Sequence, residues 1–304
     1  MVDITHKITT LRTATAQAIV TVGSMATMEA ILNKTVPKGA VLEVARTAGL
    51  FAVKNTANAI PDCHPMPIEF TGIEFECLDA SIQIEVTVKT VYRTGVEVEA
   101  MHGAAIVALT IYDMLKPIDK QVAITSVKLL HKKGGKSDFS AIDHRHLSVA
   151  VVVCSDTVSA GTKADTSGKI IIQKLENLGL TVASYTVIPD EIDAIQIHIQ
   201  HLCNQKINLI VLTGGTGLSH SDVTPEAVLP LIDRRIPGIE EAIRSYGQGR
   251  TPYAMLSRSV VGLKGETLIM ALPGSTAGVS ESIDAVFPSV LHLFQLLNGY
   301  THGK

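Results

Sequence analysis

Ile207-Asn-Leu-Ile-Val-Leu212 runs directly into Thr213-Gly-Gly-Thr-Gly217, and Asp222-Val-Thr-Pro-Glu-Ala227 follows shortly after. An unbroken apolar run of this kind reads as a strand buried on both faces. A glycine turn at its end, then an acid and a proline-started helix, is the layout of a phosphate and metal site. The chain around this stretch repeats the pattern. Residues 147–154 and 181–188 are further apolar runs, and 268–272 is another. Helical stretches over 167–178 and 191–203 lie between them, and 277–297 reads as a closing helix. Strands that are apolar throughout, alternating with helices, predict a doubly wound α/β unit with a mostly parallel sheet.

In such sheets, ligands sit beyond the carboxyl ends of the strands. The polar residues fall there repeatedly: Ser155-Asp156, Pro189-Asp190-Glu191, the Thr213, Gly214, Gly215, Thr216, Gly217 turn, and Pro273-Gly274-Ser275. Four strand ends of unrelated local sequence would therefore meet at one crevice. Its glycines let backbone N–H groups approach an oxyanion. Asp190 and Asp222 are candidate magnesium ligands, because that hard cation prefers carboxylate and phosphate oxygens. Two nucleotide fingerprints are excluded. There is no G-x-x-x-x-G-K-[ST], and the dinucleotide G-x-G-x-x-G fails because position 220 is His. Taken singly, each piece has a plainer reading, since a Gly-Gly turn or an acid before a helix is commonly structural.

The first 140 residues differ. Residues 12–33 and 41–60 have Ala/Leu-rich helical character, separated by the break Pro37-Lys-Gly39. The three prolines of 61–67 exclude helix interior. Residues 70–78 and 81–92 alternate apolar and polar, the second as Ile82, Ile84, Val86, Val88, which predicts a half-exposed antiparallel pair. A helix over 99–116 and a strand over 122–130 complete an α+β unit, with helices on one face of an antiparallel sheet in a ferredoxin-like arrangement. The expected organisation is a first domain over 1–139, a linker over 140–146 and a second domain over 147–304.

Composition bounds the function. The 304 residues are 46% hydrophobic but 4% aromatic, with no Trp, so the core rests on Ile, Val, Leu and Ala. A formal charge of -3 offers no global attraction to nucleic acid or an acidic membrane. The four cysteines form no C-x-x-C pair, which suggests reduced thiols. The N-terminus lacks a signal-peptide layout, and apolar runs such as 104–111 fall far below the ~20 residues of a membrane span. A cytoplasmic protein is expected.

The motifs of the second half fall in the order seen in molybdopterin adenylyltransferases. They are Ser155-Asp156, Asp165-Thr-Ser-Gly168, Pro189-Asp190, Thr213–Gly217, Asp222-Val-Thr-Pro-Glu-Ala227, Ile236-Pro-Gly238 and Leu272-Pro-Gly-Ser275. The resemblance covers about residues 146–300. It implies transfer of AMP from the co-substrate ATP to the terminal phosphate of molybdopterin, with magnesium and release of pyrophosphate. It also implies that Asp190 and Asp222 are the essential acids, and that the glycine turn and Pro273-Gly274-Ser275 hold pterin and phosphate. Some relatives of that family bind pterin without transferase activity, so a pterin-binding or assembly module is the alternative. Retention of both acids favours catalysis.

In the first half the polar features are fewer. Asp113 and Lys116 share a helix face, Glu97 and Glu99 precede that helix, Cys63-His64 lies among prolines, and Lys38 sits in a turn. Each could be an ordinary surface or capping residue. Met1-Val-Asp3, Lys38-Gly39, Ala45-Arg-Thr-Ala-Gly49, Cys63-His-Pro65, Thr94-Gly-Val-Glu-Val-Glu-Ala100, Ala108-Leu-Thr-Ile-Tyr-Asp-Met114, Lys116 and Gly134-Gly-Lys-Ser137 resemble cyclic pyranopterin monophosphate synthase over nearly all of 1–139. That family rearranges a cyclised dihydro-GTP triphosphate into cyclic pyranopterin monophosphate and pyrophosphate, a lyase reaction with no cofactor firmly implied. The resemblance implies that Asp113 is the acid/base with Lys38 and Lys116 as partners. It also implies that Asp62, Cys63, His64, Glu97, Val98, Glu99 and Lys136 line the substrate. Asp62 stands where the family has Leu, and Val98 where it has Met. A lysine beside another cation is expected to have a lowered pKa suited to proton exchange.

The whole reads as a bifunctional enzyme of molybdenum cofactor biosynthesis acting on small-molecule pterin and nucleotide substrates. The families imply a homo-oligomer, hexamer or trimer, and other enzymes of the same pathway as possible partners. In the first family, active sites form between subunits.

Overall fold

The computed structural model describes residues 1–135 and 144–299. Lys136 and most of the expected linker lie outside them. The chain forms two compact units, Met1–Asp138 and Phe139–Lys304, each with its own hydrophobic core.

The first unit opens on a strand, β1 (Thr10–Thr21), followed by a short helix, α1 (Met25–Leu32). This corrects the helix expected over 12–33. Alanine favours helix by intrinsic propensity, but here Ala14, Ala16, Ala18 and Val20 alternate with Thr13, Thr15, Gln17 and Ile19. Period two puts the four on one sheet face, where all are fully buried. Small side chains let the helix above approach closely, and tertiary packing overrides propensity. Next come α2 (Val41–Lys54), α3 (Thr56–Ala59), β2 (Phe70–Leu78), β3 (Ser81–Tyr92), α4 (Glu97–Leu115) and β4 (Ala123–Lys133). The sheet order is β2-β3-β1-β4 and every pairing is antiparallel. This β-α-β-β-α-β connectivity is the ferredoxin-like split βαβ. As the alternation requires, Ile82, Ile84, Val86 and Val88 are all fully buried.

α4 is, among the described residues, the one helix long and apolar enough to cross a membrane. That corrects the expectation that no stretch approaches such a length. Its apolar face, with Ala100, Ala104, Val107, Ala108 and Ile111, is fully buried in the core of the unit.

The second unit contains β5 (Ser148–Cys154), α5 (Asp156–Ser159), α6 (Ser167–Asn177), β6 (Thr181–Ile188), α7 (Ile192–Asn204), β7 (Leu209–Thr213) and α8 (Thr224–Val228). β8 (Arg234–Arg235), α9 (Pro237–Gln248), β9 (Val260–Lys264), β10 (Thr267–Leu272), α10 (Thr276–Val286) and α11 (His292–Leu297) follow. The sheet order is β6-β5-β7-β10-β9-β8. β6, β5, β7 and β10 are parallel, whereas β9 and β8 run antiparallel at one edge. Alternate residues feed two cores. Val149 and Val151 face the side holding α6, α9 and α10, while Ala150 and Val152 face the side holding α7 and α8. The closing helix expected over 277–297 is broken after Val286, because Pro288 lacks an N–H and its ring disfavours helix in the residue before it.

Candidate active sites

In the second unit, the chain leaves β5 for β6 on one side and returns for β7 on the other. Strand order therefore reverses between β5 and β7, and such a switch point opens a crevice beyond the carboxyl ends. A cavity of about 390 Å³ lies there. Of the residues predicted from sequence, Ser155, Asp190, Thr213, Gly214, Gly215, Gly274 and Ser275 line it. Pro273 instead lines an adjoining cavity of about 410 Å³ with Arg244, Tyr253 and Glu281, and Ser275 reaches both.

The strand ends are laced together. Thr213 Oγ1 donates to the Pro273 carbonyl at 2.8 Å, which joins β7 to β10. Asp156 and Asp190 bond reciprocally: the Asp190 N–H donates to Asp156 Oδ1 at 3.0 Å, and the Asp156 N–H donates to Asp190 Oδ2 at 3.2 Å. That pair joins β5 to β6. Gly214 has φ +101°, and a Cβ there would stand 2.1 Å from the Cys154 carbonyl oxygen. Only glycine permits this approach. Ser155 and Ser275 cap the following helices by accepting from Val158 and Gly278 N–H groups. Asp165, also on the cavity wall, is spent structurally: it accepts from Ser167, Gly168 and the Tyr185 hydroxyl.

Burial pushes the Asp190 carboxyl above the ordinary carboxylate range, and the negative charges of Asp156 and Asp222 add to this against one backbone hydrogen bond. Its Oδ1 and the Thr224 hydroxyl oxygen are buried without a protein hydrogen-bond partner. Both face Gly215, where a Cβ would meet them at 2.9 and 2.4 Å. Orphaned oxygens among carboxylates suit a hard cation. No group of three or more His, Cys, Asp or Glu among the described residues is arranged to hold a metal. Magnesium does not require one, since one or two carboxylates with substrate phosphates suffice. Asp222 shapes its own turn, accepting from Ser219 N–H at 2.8 Å with Gly217 packed against it.

One residue near this crevice gave no signal in the sequence. Arg258, just before β9, donates to the Gly217 and Asp222 carbonyls at 2.7 and 2.6 Å and pairs with Glu226. A lone arginine outside any motif is not readable as part of a site.

In the first unit the predicted residues gather at opposite ends of α4. At its carboxyl end, Asp113 is clamped between two ammonium groups: Lys38 donates to Oδ2 at 2.7 Å, and Lys116 stands 2.7 Å from Oδ1. Lys38 also donates to the Asp113 carbonyl. The Lys116 and Lys38 hydrogen bonds hold the Asp113 carboxyl down to about 2, and Lys116 is raised by Asp113 in return. For Lys116 this corrects the expected lowering, because the carboxylate it is bonded to dominates its environment.

At the amino end, Cys63 Sγ donates to Glu99 Oε1 at 3.0 Å. Burial, then that bond, pushes the thiol up to about 12, so Cys63 stays protonated. Glu99 is 2% exposed and its Oε2 has no protein partner. His64 Nε2 meets the Val2 carbonyl at 2.8 Å, and Asp62 pairs with the Met1 amino group at 2.9 Å. Val98 is exposed. Glu97 pairs with Lys132 at 2.9 Å on the wall of a cleft of about 340 Å³. That cleft is rich in cations, with Lys7, Arg12, Arg93, Lys132 and Lys133 along it beside Glu97. These five come from three stretches far apart in sequence, so only the fold reveals them as one anion-attracting surface. From Glu97 to Asp113, at 1.5 Å rise per residue, the two ends stand about 24 Å apart.

The two architectures define a class: a fused chain with a ferredoxin-like α+β unit and a doubly wound α/β unit, each carrying its own polar site. Residues 1–135 match the MoaC family, and residues 150–292 match the family described as "Probable molybdopterin binding domain". A molybdenum cofactor biosynthesis bifunctional protein of Chlorobaculum tepidum is 39% identical over 302 residues, covering 99% of this chain and 96% of its own. One from Synechococcus elongatus is 35% identical over 318 residues, covering 100% and 99%. A cyclic pyranopterin monophosphate synthase of Trichlorobacter lovleyi is 50% identical over 139 residues, covering 45% of this chain and 86% of its own. The chain belongs to the family of molybdenum cofactor biosynthesis bifunctional proteins.

Proposed function

We propose that the first unit converts a cyclic dihydro-GTP triphosphate into cyclic pyranopterin monophosphate and pyrophosphate, and that the second adenylylates molybdopterin with ATP. For the first reaction, the clamped Asp113 carboxylate accepts protons, while Lys38 and Lys116 donate them or neutralise phosphate. The cationic cleft attracts the triphosphate. A substrate touching both ends of α4 would have to span about 24 Å, so we assign each active site to the carboxyl end of α4 in one copy and the amino end in another. This supports a homo-oligomer.

For the second reaction, a terminal phosphate oxygen of molybdopterin attacks the α-phosphorus of ATP. The Pα–O bond to the β-phosphate breaks, and pyrophosphate leaves. Magnesium, when bound, supplies neutralising charge at the phosphate oxygens. Asp190 and Asp222 would hold it, the glycine turn would cradle phosphate with backbone N–H groups, and Pro273-Gly274-Ser275 would bound the pterin. The observation that carries this reading is the buried, unpartnered Asp190 oxygen at the switch point. The free cysteines among the described residues agree with a reducing cytoplasm.

The test is pyrophosphate release by the full chain given ATP, molybdopterin and magnesium. Release is expected. Tight pterin binding without release would instead support a non-catalytic binding or assembly module.

A further inference from the structure

The 213–224 loop carries Asp222, and its internal bonds are local. Ser219 N–H donates to Asp222 Oδ2 at 2.8 Å, and Asp222 N–H returns to the Ser219 carbonyl at 3.0 Å. These bonds shape a turn but do not fix that turn against the sheet. Its ends are tied, by Thr213 Oγ1 to Pro273 and by Thr224 N–H to the Gly215 carbonyl. Among the described residues, the hydrogen bonds joining the middle of the loop to another part of the fold come from Arg258. Its backbone N–H donates to the Thr216 carbonyl at 3.1 Å, Nε to Gly217 at 2.7 Å and Nη2 to the Asp222 carbonyl at 2.6 Å. Nη1 pairs with Glu226 at the start of α8.

A planar guanidinium can serve three acceptors in a fixed geometry, which an ammonium group cannot. The tie has an electrostatic purpose. Asp190 Oδ1 and Asp222 Oδ2 both stand against this one glycine turn, where a Cβ at Gly215 and at Gly217 would meet them at 2.9 and 2.8 Å, and Asp156 is bonded to the Asp190 strand end. Like charges repel, and the one that can yield is Asp222, since Asp156 and Asp190 are bonded to each other's strand ends. We propose that Arg258 is a positioning residue for adenylyl transfer: by clamping the backbone of the loop it holds Asp222 toward Asp190 without itself touching substrate. The proposal rests on the transfer reading given above for the second unit.

The test uses the full chain with Arg258→Ala and Arg258→Lys. Pyrophosphate release is measured against magnesium and against molybdopterin concentration, with thermal unfolding alongside. A misplaced catalytic group costs about 10²-fold in rate. Arg258→Ala is therefore expected to lower kcat by roughly that factor and to require more magnesium for half-maximal rate. The KM for molybdopterin should stay near that of the unaltered chain. Arg258→Lys should fall between, because one ammonium satisfies only part of the acceptor set, and it carries the test if the alanine variant does not fold. An unchanged magnesium dependence overturns the proposal. Loss of molybdopterin binding together with magnesium dependence in both variants also overturns it, by showing a role in the fold alone. Absence of release by the unaltered chain overturns the transfer reading itself, and this proposal with it.

Discussion

Asp113 shows how much a single contact set decides. Two ammonium groups depress its pKa to about 2 from a usual 3.8. A depressed acid adds stability that is present above the unfolded pKa and lost as pH falls through the folded one. The pairing is therefore intact at neutral pH and lost from about pH 4 down to about pH 2. The groups are exposed, so little stability is at stake; what the pairing secures is the ionisation state. A carboxyl NMR titration should place Asp113 near 2 and show it move toward 3.8 in Lys116→Ala; a midpoint at or above 3.8 in the unaltered chain would refute the clamp. Asp113 and Lys116 were legible together because i and i+3 share a helix face. The Lys38 contact has no such local signal, since 75 residues separate it from Asp113, and only the family resemblance pointed to it. The five cations of the cleft and Arg258 were illegible for the same reason: no local pattern announces a meeting made by the fold.

Elements were legible where one period dominates. The alternation of 81–92 and the apolar runs that became β5, β7 and β10 each allow a single packing, whereas 181–188, expected to be buried on both faces, is the edge strand β6 with alternate residues exposed. β1 misled because alanine is a helix former whose placement on the sheet follows from the helix above it. That closeness recurs between α2 and α4. Gly49 and Gly103 face each other there, and a Cβ at Gly103 would lie 2.5 Å from Val53 Cγ2, one at Gly49 2.4 Å from Val107 Cγ2. Gly103→Ala gains about 1 kcal/mol of helix propensity, whereas overpacking a tight core costs typically 1–3 kcal/mol. With a contact that short the clash wins, so urea unfolding should show a net loss of up to about 2 kcal/mol. Equal or greater stability would mean that the helices separate easily. In the second unit, the crevice was legible because strand ends in a parallel sheet must share an edge. The adjoining cavity that Pro273 lines was not, because its walls come from α9, from residues 251–257 and from α10, which no single motif joins.

At the scale of the molecule, the two ends of α4 set a requirement on assembly. If one copy supplies Asp113 and another Glu99, a chain carrying Asp113→Asn and one carrying Glu99→Gln should each be inactive as synthases. They should regain part of that activity after unfolding and refolding together. No recovery would show that each site is built within one copy. Two sites on two cores make separable chemistries, and the two proposed reactions share a product, pyrophosphate. The most direct test is therefore pyrophosphate release by the full-length Asp190→Asn chain, offered each substrate set in turn. Release from cyclic dihydro-GTP triphosphate is expected undiminished, with a loss of at least about 10²-fold with ATP, magnesium and molybdopterin. Loss of both activities, or of neither, would contradict the two-site reading.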